Sequence, residues 1–169
     1  MSRVLWFRRD LRIHDNPALV EAVEGAWADG DGNVVAVVLI DPNLWPGWGP
    51  GKQAYLIDSL RSLDESLGGN LVIRHGKAQD VIPAIAKEFG VSAVHCAADY
   101  TGNGIARDNE VASRLSASGI DFVKTGSGYA VAPGRVAKDD GTYYKVYTPF
   151  YKRWMIHGWR APAADPTKA

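Results

Sequence analysis

The stretch from Val4 to Leu19, VLWFRRDLRIHDNPAL, constrains the fold more than any other part of this chain. Val4-Leu5-Trp6-Phe7 has the length and β-rich composition of a buried strand. It breaks into Arg8-Arg9-Asp10-Leu11-Arg12, and Asp15-Asn16-Pro17 then opens a new element. Asp15 or Asn16 can cap a helix, with Pro17 at its first position, where a missing N–H costs nothing. A buried strand, a charged loop and a helix start thus follow one another within a few residues. In an open parallel sheet such a loop lies at the carboxyl edge, where ligands are held; the alternative is an ordinary connection with solvated arginines.

The rest of the chain repeats this grammar. A first helix follows Pro17, with Leu19, Val20, Val23, Ala26 and Trp27 spaced for a buried face. Asp29-Gly30-Asp31-Gly32-Asn33 is a turn cluster, and Val34–Ile40 is a continuous apolar run, as expected of a strand covered on both faces. Asp41-Pro42 ends it, and the following loop carries Trp45 and Trp48, two rings that need cover from the core or from a flat ligand. A second helix over 52–67 repeats Leu56, Leu60, Leu63 and Leu67, and Gly68-Gly69 supplies its left-handed exit. A third strand over 71–73 closes on Arg74-His75-Gly76, with His75 read as structural for want of a partner pattern. The third helix presents Val81, Ile82, Ile85 and Phe89, and Pro83 fits only in or near its first turn. A fourth strand, 93–97, leads through Asp99-Tyr100-Thr101-Gly102-Asn103-Gly104 to a helix over 105–116 and a fifth strand over 120–123.

This alternation predicts an α/β fold: a five-stranded parallel Rossmann-like sheet, helices on both faces, order 3-2-1-4-5. That order sets Arg8, Arg9 and Asp10 opposite Asp99, Tyr100 and Asn103 across one crevice. Beyond the fifth strand the stretch 126–134 is irregular, Asp139-Asp140-Gly141 suggests a tight turn, and Pro149 begins a short aromatic and basic helix. From Arg135 to Arg160 there are 6 Lys/Arg against 2 Asp, which suits nucleic acid or, the favoured reading, docking of another domain. Residues 161–169 read as the start of an interdomain linker.

Composition excludes some functions. The 169 residues carry a formal net charge of zero, so any basic surface is local. One cysteine, Cys96, excludes an internal disulfide and reads as a buried small hydrophobe, in keeping with a reducing cytoplasm. No signal peptide or membrane-length segment is apparent. Neither Gly102-Asn103-Gly104 nor Gly126-Ser127-Gly128 completes a dinucleotide or Walker loop, and no catalytic triad or metal-ligand spacing stands out.

Three segments resemble the N-terminal α/β domain of the DNA photolyase/cryptochrome family. Trp6-Phe7-Arg8-Arg9-Asp10-Leu11-Arg12 with His14-Asp15-Asn16 is similar to the family's opening signature. Asp41-Pro42 with Trp45, and Arg107-Asp108 with Val111 after Asp99-Tyr100, give weaker support. Tyr144-Lys145-Val146-Tyr147-Thr148-Pro149-Phe150, with Trp154 beyond, resembles the segment leaving that domain. The resemblance implies an antenna-binding domain over 1–134, a domain-exit segment over 135–160 and a linker after it. In the family a separate helical domain holds FAD and the damaged DNA, and blue-light energy passes from the antenna to FAD for repair of pyrimidine dimers. It implies that Phe7, Arg8, Arg9, Asp10, Ile40, Asp41, Lys52, Asp99, Tyr100, Asn103 and Arg107 hold the antenna chromophore. No residue of this chain is expected to be catalytic or to bind metal, and the chain alone is expected not to repair DNA. Folate-binding members keep a Glu after the Asn of the fourth-strand loop; Gly104 stands there instead, which favours a deazaflavin or flavin over methenyltetrahydrofolate. A monomer, with no membrane contact, is expected. The other classes are a photosensory cryptochrome and a stand-alone nucleotide-binding domain of the universal-stress or electron-transfer-flavoprotein type.

Overall fold

A computed structural model describes residues 1–30 and 32–165. Five parallel strands, β1 (Arg3–Phe7), β2 (Val34–Ile40), β3 (Val72–His75), β4 (Ala93–Ala98) and β5 (Asp121–Ser127), form one sheet in the order β3-β2-β1-β4-β5. The connecting helices are α1 (Pro17–Ala28), α2 (Pro50–Ser66), α3 (Ala78–Glu88) and α4 (Gly102–Ser116), and α5 (Tyr147–His157) follows β5. The expected strand order and alternation hold. The central register sets Phe7 beside Val38 and Leu5 beside His95, which brings the carboxyl ends of β1, β2 and β4 to one edge.

Successive side chains of β1 enter opposite layers. Val4 and Trp6 join a core under α3 and α4 with Ile82, Ile85, Val94, Val111 and Leu115. Leu5 and Phe7 join a second core with Ala18, Leu19, Val38, Leu60 and Leu63, from α1, β2 and α2. A strand covered on both faces must be apolar throughout, which is why VLWF shows no alternation. Asn16 caps α1, its Oδ1 accepting from the Leu19 N–H at 3.2 Å, and Pro17 takes the first helical position. At the far end of α2, Gly68 and Gly69 have φ of 65° and 79°, the left-handed exit expected of the pair.

Several expectations need correction. Trp27 is not on the buried face of α1; it is 59% exposed, and the helix buries Ala18, Leu19, Ala22 and Ala26. Small residues let α1 sit close to the sheet. Phe89 likewise ends α3 exposed. Pro83 lies in the second turn of α3, not the first, and the helix continues past it; the Gln79 carbonyl thereby loses its helical donor. Helices α2 and α4 begin earlier than periodicity suggests, at Pro50 and Gly102, and β3 occupies Val72–His75. Strand β5 runs through Ser127, into the stretch read as irregular, with a register shift opposite Cys96/Ala98. The Asp139–Gly141 turn is closed by the Gly141 N–H on Lys138 and the Lys138 N–H on Thr142, both at 2.9 Å. Of the turn cluster before β2, Asp31 lies outside the described residues, as do residues 166–169 of the expected linker. Among the described residues no helix is long and apolar enough to cross a membrane.

Candidate site at the carboxyl edge of the sheet

The paired arginines after β1 do different things because consecutive residues leave a strand on opposite sides. The Arg8 side chain turns inward and is 9% exposed, whereas that of Arg9 is 69% exposed. Arg8 Nη1 donates to Asp108 Oδ1 at 2.6 Å, and its Nη2 donates to the Ala97 carbonyl at the end of β4. Arg107 donates to the same Asp108 oxygen from Nε at 3.0 Å and Nη2 at 2.7 Å, and reaches Asp99 Oδ2 at 3.3 Å. Both guanidinium groups lie over the buried Trp6 ring, 4.9 and 5.0 Å from its centroid. These cation–π contacts strengthen as water is removed. The result is a rigid bracket across β1, β4 and α4.

Asp10 is fixed by the same loop. Its Oδ1 accepts the Arg8 N–H at 3.0 Å and its Oδ2 the Asn16 amide at 3.4 Å, and its side chain belongs to the turn. Asp99 is held by Thr101, which donates its N–H at 3.0 Å and its hydroxyl at 2.9 Å to Oδ1. Burial pushes the Asp99 carboxyl up, but those hydrogen bonds and the charges of Arg9 and Arg107 outweigh it and hold the group below the usual carboxylate value. Thr101 in turn caps α4, its hydroxyl accepting from the Gly104 N–H at 3.1 Å. Gly104 has no room for a side chain: a Cβ there would stand 2.3 Å from the Asp99 Cγ. Glycine at this position is thus required by the placement of Asp99.

A second group lies beside β2. Asp41 Oδ1 accepts from the Asn43 N–H at 2.8 Å and shapes the tryptophan loop. Trp45 and Trp48, 6.0 Å apart, partly cover each other; the Lys52 ammonium sits 4.0 Å over the Trp48 ring, and the Gln53 amide ties both tryptophan carbonyls at 3.0 Å. Neither ring belongs to a core cluster.

The sequence-predicted residues therefore fall into sets. Arg8, Arg9, Asp10, Asp99 and Arg107 form one connected network at the β1/β4 switch point. Ile40, Asp41 and Lys52 stand apart beside β2, and among the described residues no hydrogen bond or ion pair joins the two sets. Phe7 is 1% exposed and packs in the core, so only its backbone faces the edge. Asn103 is exposed in the first turn of α4, and the half-exposed Tyr100 lines a cavity towards β5. The Arg8–Asp108–Arg107 cluster spans the crevice between β1 and β4. Arg9, Tyr100, Asn103 and Lys52 are the exposed members of the set.

Asp108, outside the residues that the sequence marks as a site, is the centre of the bracket. Its signal was positional: residues 104, 108, 111 and 115 are the buried stripe of α4, and a charge in such a stripe needs a buried partner. Its Oδ2 has no hydrogen-bond partner among the described residues.

A doubly wound parallel sheet in the order β3-β2-β1-β4-β5, its carboxyl edge bracketed by arginines, defines a Rossmann-like α/β domain. The family model described as DNA photolyase matches residues 3–167, and the chain belongs to that family. It is 33% identical to a deoxyribodipyrimidine photo-lyase of Halobacterium salinarum, over 99% of this chain and 36% of that protein. A deoxyribodipyrimidine photo-lyase of Streptomyces griseus is 34% identical over 96% of this chain and 36% of its own length. The crystal structure of a class III photolyase from Agrobacterium tumefaciens superposes with a TM-score of 0.81 at 31% identity, covering 99% of this chain and 34% of that one. An archaeal photolyase from Sulfolobus tokodaii, described with two FAD molecules and the implication of a novel light-harvesting cofactor, gives a TM-score of 0.81 at 27% identity, covering 96% of this chain and 36% of that one. A Synechocystis cryptochrome shares the fold, with a TM-score of 0.85 at 24% identity, covering 98% of this chain and 36% of its own. The chain spans about a third of the length of the deoxyribodipyrimidine photo-lyases it matches.

Proposed function

We propose that this chain is the light-harvesting, antenna-binding domain of a deoxyribodipyrimidine photo-lyase. Repair of pyrimidine dimers in DNA would belong to the whole protein, with FAD in a separate helical domain. Within the chain, 1–134 would form the antenna-binding unit, 135–160 the exit segment, and 161–169 the beginning of the linker. The observation that carries the reading is the family match over 3–167 together with the character of the edge. The charged groups of the β1/β4 network are tied to one another and poised to hold a shape. Burial pushes the Cys96 thiol up to about 12, which removes it as a nucleophile.

The chromophore would lie over the bracket, with Arg9, Lys52, Tyr100 and Asn103 at its margins and the backbone of Phe7, Ile40 and Asp41 beneath. Its chemistry is to absorb blue light and pass the energy on. The chain's residues bind it, fix its orientation and exclude water. A deazaflavin or flavin is favoured over a folate, because a carboxylate side chain at position 104 cannot coexist with Asp99 as placed. The two FAD molecules named for the Sulfolobus protein support the same choice. The protein would work as a monomer in the cytoplasm.

Titration of the chain with a deazaflavin, a flavin and methenyltetrahydrofolate tests the reading. The first two should bind and the third should not, and Arg9→Ala with Lys52→Ala should weaken binding by about tenfold or more, as expected for lost charge-assisted contacts. Tighter binding of the folate, or indifference to those substitutions, would refute it.

A further inference from the structure

A second concave surface lies apart from the bracket, between the carboxyl ends of β4 and β5 and the chain leaving α5. It encloses about 420 Å³, within the range of small-molecule sites. Its floor is made of small residues, Ala98, Gly126 and Ala130, which leave the volume open. Three aromatic rings stand around it: Tyr100 and Tyr129, in edge-to-face contact at 6.1 Å, and Trp159, stacked on Trp154 at 4.8 Å and 23°. Those contacts hold the rings in place, so little rotamer freedom is lost when a flat molecule enters.

The charge around this cavity is one-sided. Lys124, Arg135 and Arg160 line it and no carboxylate does. Arg160 is neutralised by Asp15 at 2.6 Å. Among the described residues Arg135 has no ion-pair partner, although most arginines, including Arg3, Arg8, Arg107, Arg114 and Arg153, are paired; Lys124 has none either, its ammonium lying 5.9 Å from the Phe122 ring centroid. In a chain of zero net charge, two uncompensated cations facing one aromatic-walled hollow attract an anion there.

We propose that this cavity binds a planar aromatic anion of the mononucleotide class. Its ring lies among Tyr100, Tyr129 and Trp159 and its phosphate meets Lys124 and Arg135. The site is separate from the antenna position at β1 and β2, with Tyr100 standing at the border of both.

FMN and AMP serve as probes, with riboflavin and adenosine as their phosphate-free counterparts, and binding is read by isothermal titration of the chain. Both nucleotides should bind about tenfold or more tightly than the counterparts, since a phosphate gains charge-assisted hydrogen bonds. Lys124→Ala combined with Arg135→Ala should abolish that difference, and Trp159→Ala should weaken all four ligands. Lys124 and Arg135 are exposed, so the double variant should melt as the parent does. Measured in the Arg9→Ala/Lys52→Ala background, where the antenna position no longer takes a flavin, nucleotide binding that survives the added Lys124→Ala/Arg135→Ala change, or no preference for the phosphorylated probes, or no binding of either nucleotide, overturns the proposal. FMN binding lost on Arg9→Ala/Lys52→Ala but kept in the double variant would place the ligand at the antenna position, sinking this inference and leaving the proposed function intact. The converse pattern would do the opposite.

Discussion

His95 makes the stability of this domain depend on pH between about 4 and 6.5. It lies on β4 between Val94 and Cys96, whose side chains enter the α3/α4 core, so its ring faces the other layer, under α1. It is 2% exposed, and neither ring nitrogen has a hydrogen-bond partner among the described residues. Burial, reinforced by the charge of Arg3 and opposed by Asp121, pushes its pKa from 6.5 down to about 4. The unfolded chain therefore takes up a proton as pH falls below 6.5, while the folded chain refuses it until about 4. Over that interval the unfolded state binds more protons, so stability rises with pH and is lost on acidification. A shift of that size corresponds to a loss on the order of 3 kcal/mol across the window. Urea melts at a series of pH values, with the wild type beside His95→Leu, measure it. The variant should lose the slope and at neutral pH should be no less stable, because it removes two orphan polar atoms at about 1–3 kcal/mol for an unsatisfied group against the mismatch in shape. A flat wild-type profile, or an unchanged slope in His95→Leu, would refute the reasoning.

Asp108→Ala leaves Arg8 buried without its carboxylate and should cost about 3–5 kcal/mol, read as a drop in urea midpoint; a loss near zero would mean the bracket contributes nothing. Gly104→Ala forces a Cβ into Asp99 and should cost about 1–3 kcal/mol, read by thermal melting. Asp15→Asn removes the charge that holds Arg160, at 2.6 Å, and the Ala163 N–H, at 2.8 Å, and should speed amide exchange at Ala163 with a stability loss of about 1 kcal/mol or less, as befits a half-exposed pair. The Ala163 and Arg160 hydrogen bonds hold the Asp15 carboxyl below 3.8, so the same release should appear in the wild type only as pH falls below that value.

Much of the fold was legible because both faces of β1 and β2 are covered. Continuous apolar runs such as VLWF and VVAVVLI then mark strands without alternation, and right-handed crossovers leave one natural strand order. Strand β5 was read short for the opposite reason: Lys124-Thr125-Gly126-Ser127 at a sheet edge carries no apolar pattern, and its extent is set by pairing with β4. Trp27 misled because its apolar character stood for burial, whereas α1 packs through alanines. At the site, the sequence placed Arg8, Arg9 and Asp99 together through topology alone. It could not tell the buried arginine from the exposed one, nor show that Asp108, a hundred residues from Arg8, would span the crevice with it. Those facts depend on side-chain direction and packing, which no local pattern encodes.

Under the proposed function, the carboxyl edge holds a pigment. The absorption spectrum of the chain purified from a cell that makes deazaflavin tests it most directly, with the Arg9→Ala/Lys52→Ala variant prepared alongside. A co-purifying band at wavelengths where no protein side chain absorbs, stoichiometric in the parent and lost in the variant, is the expected result. A colourless parent, or a band equally strong in both, would contradict it.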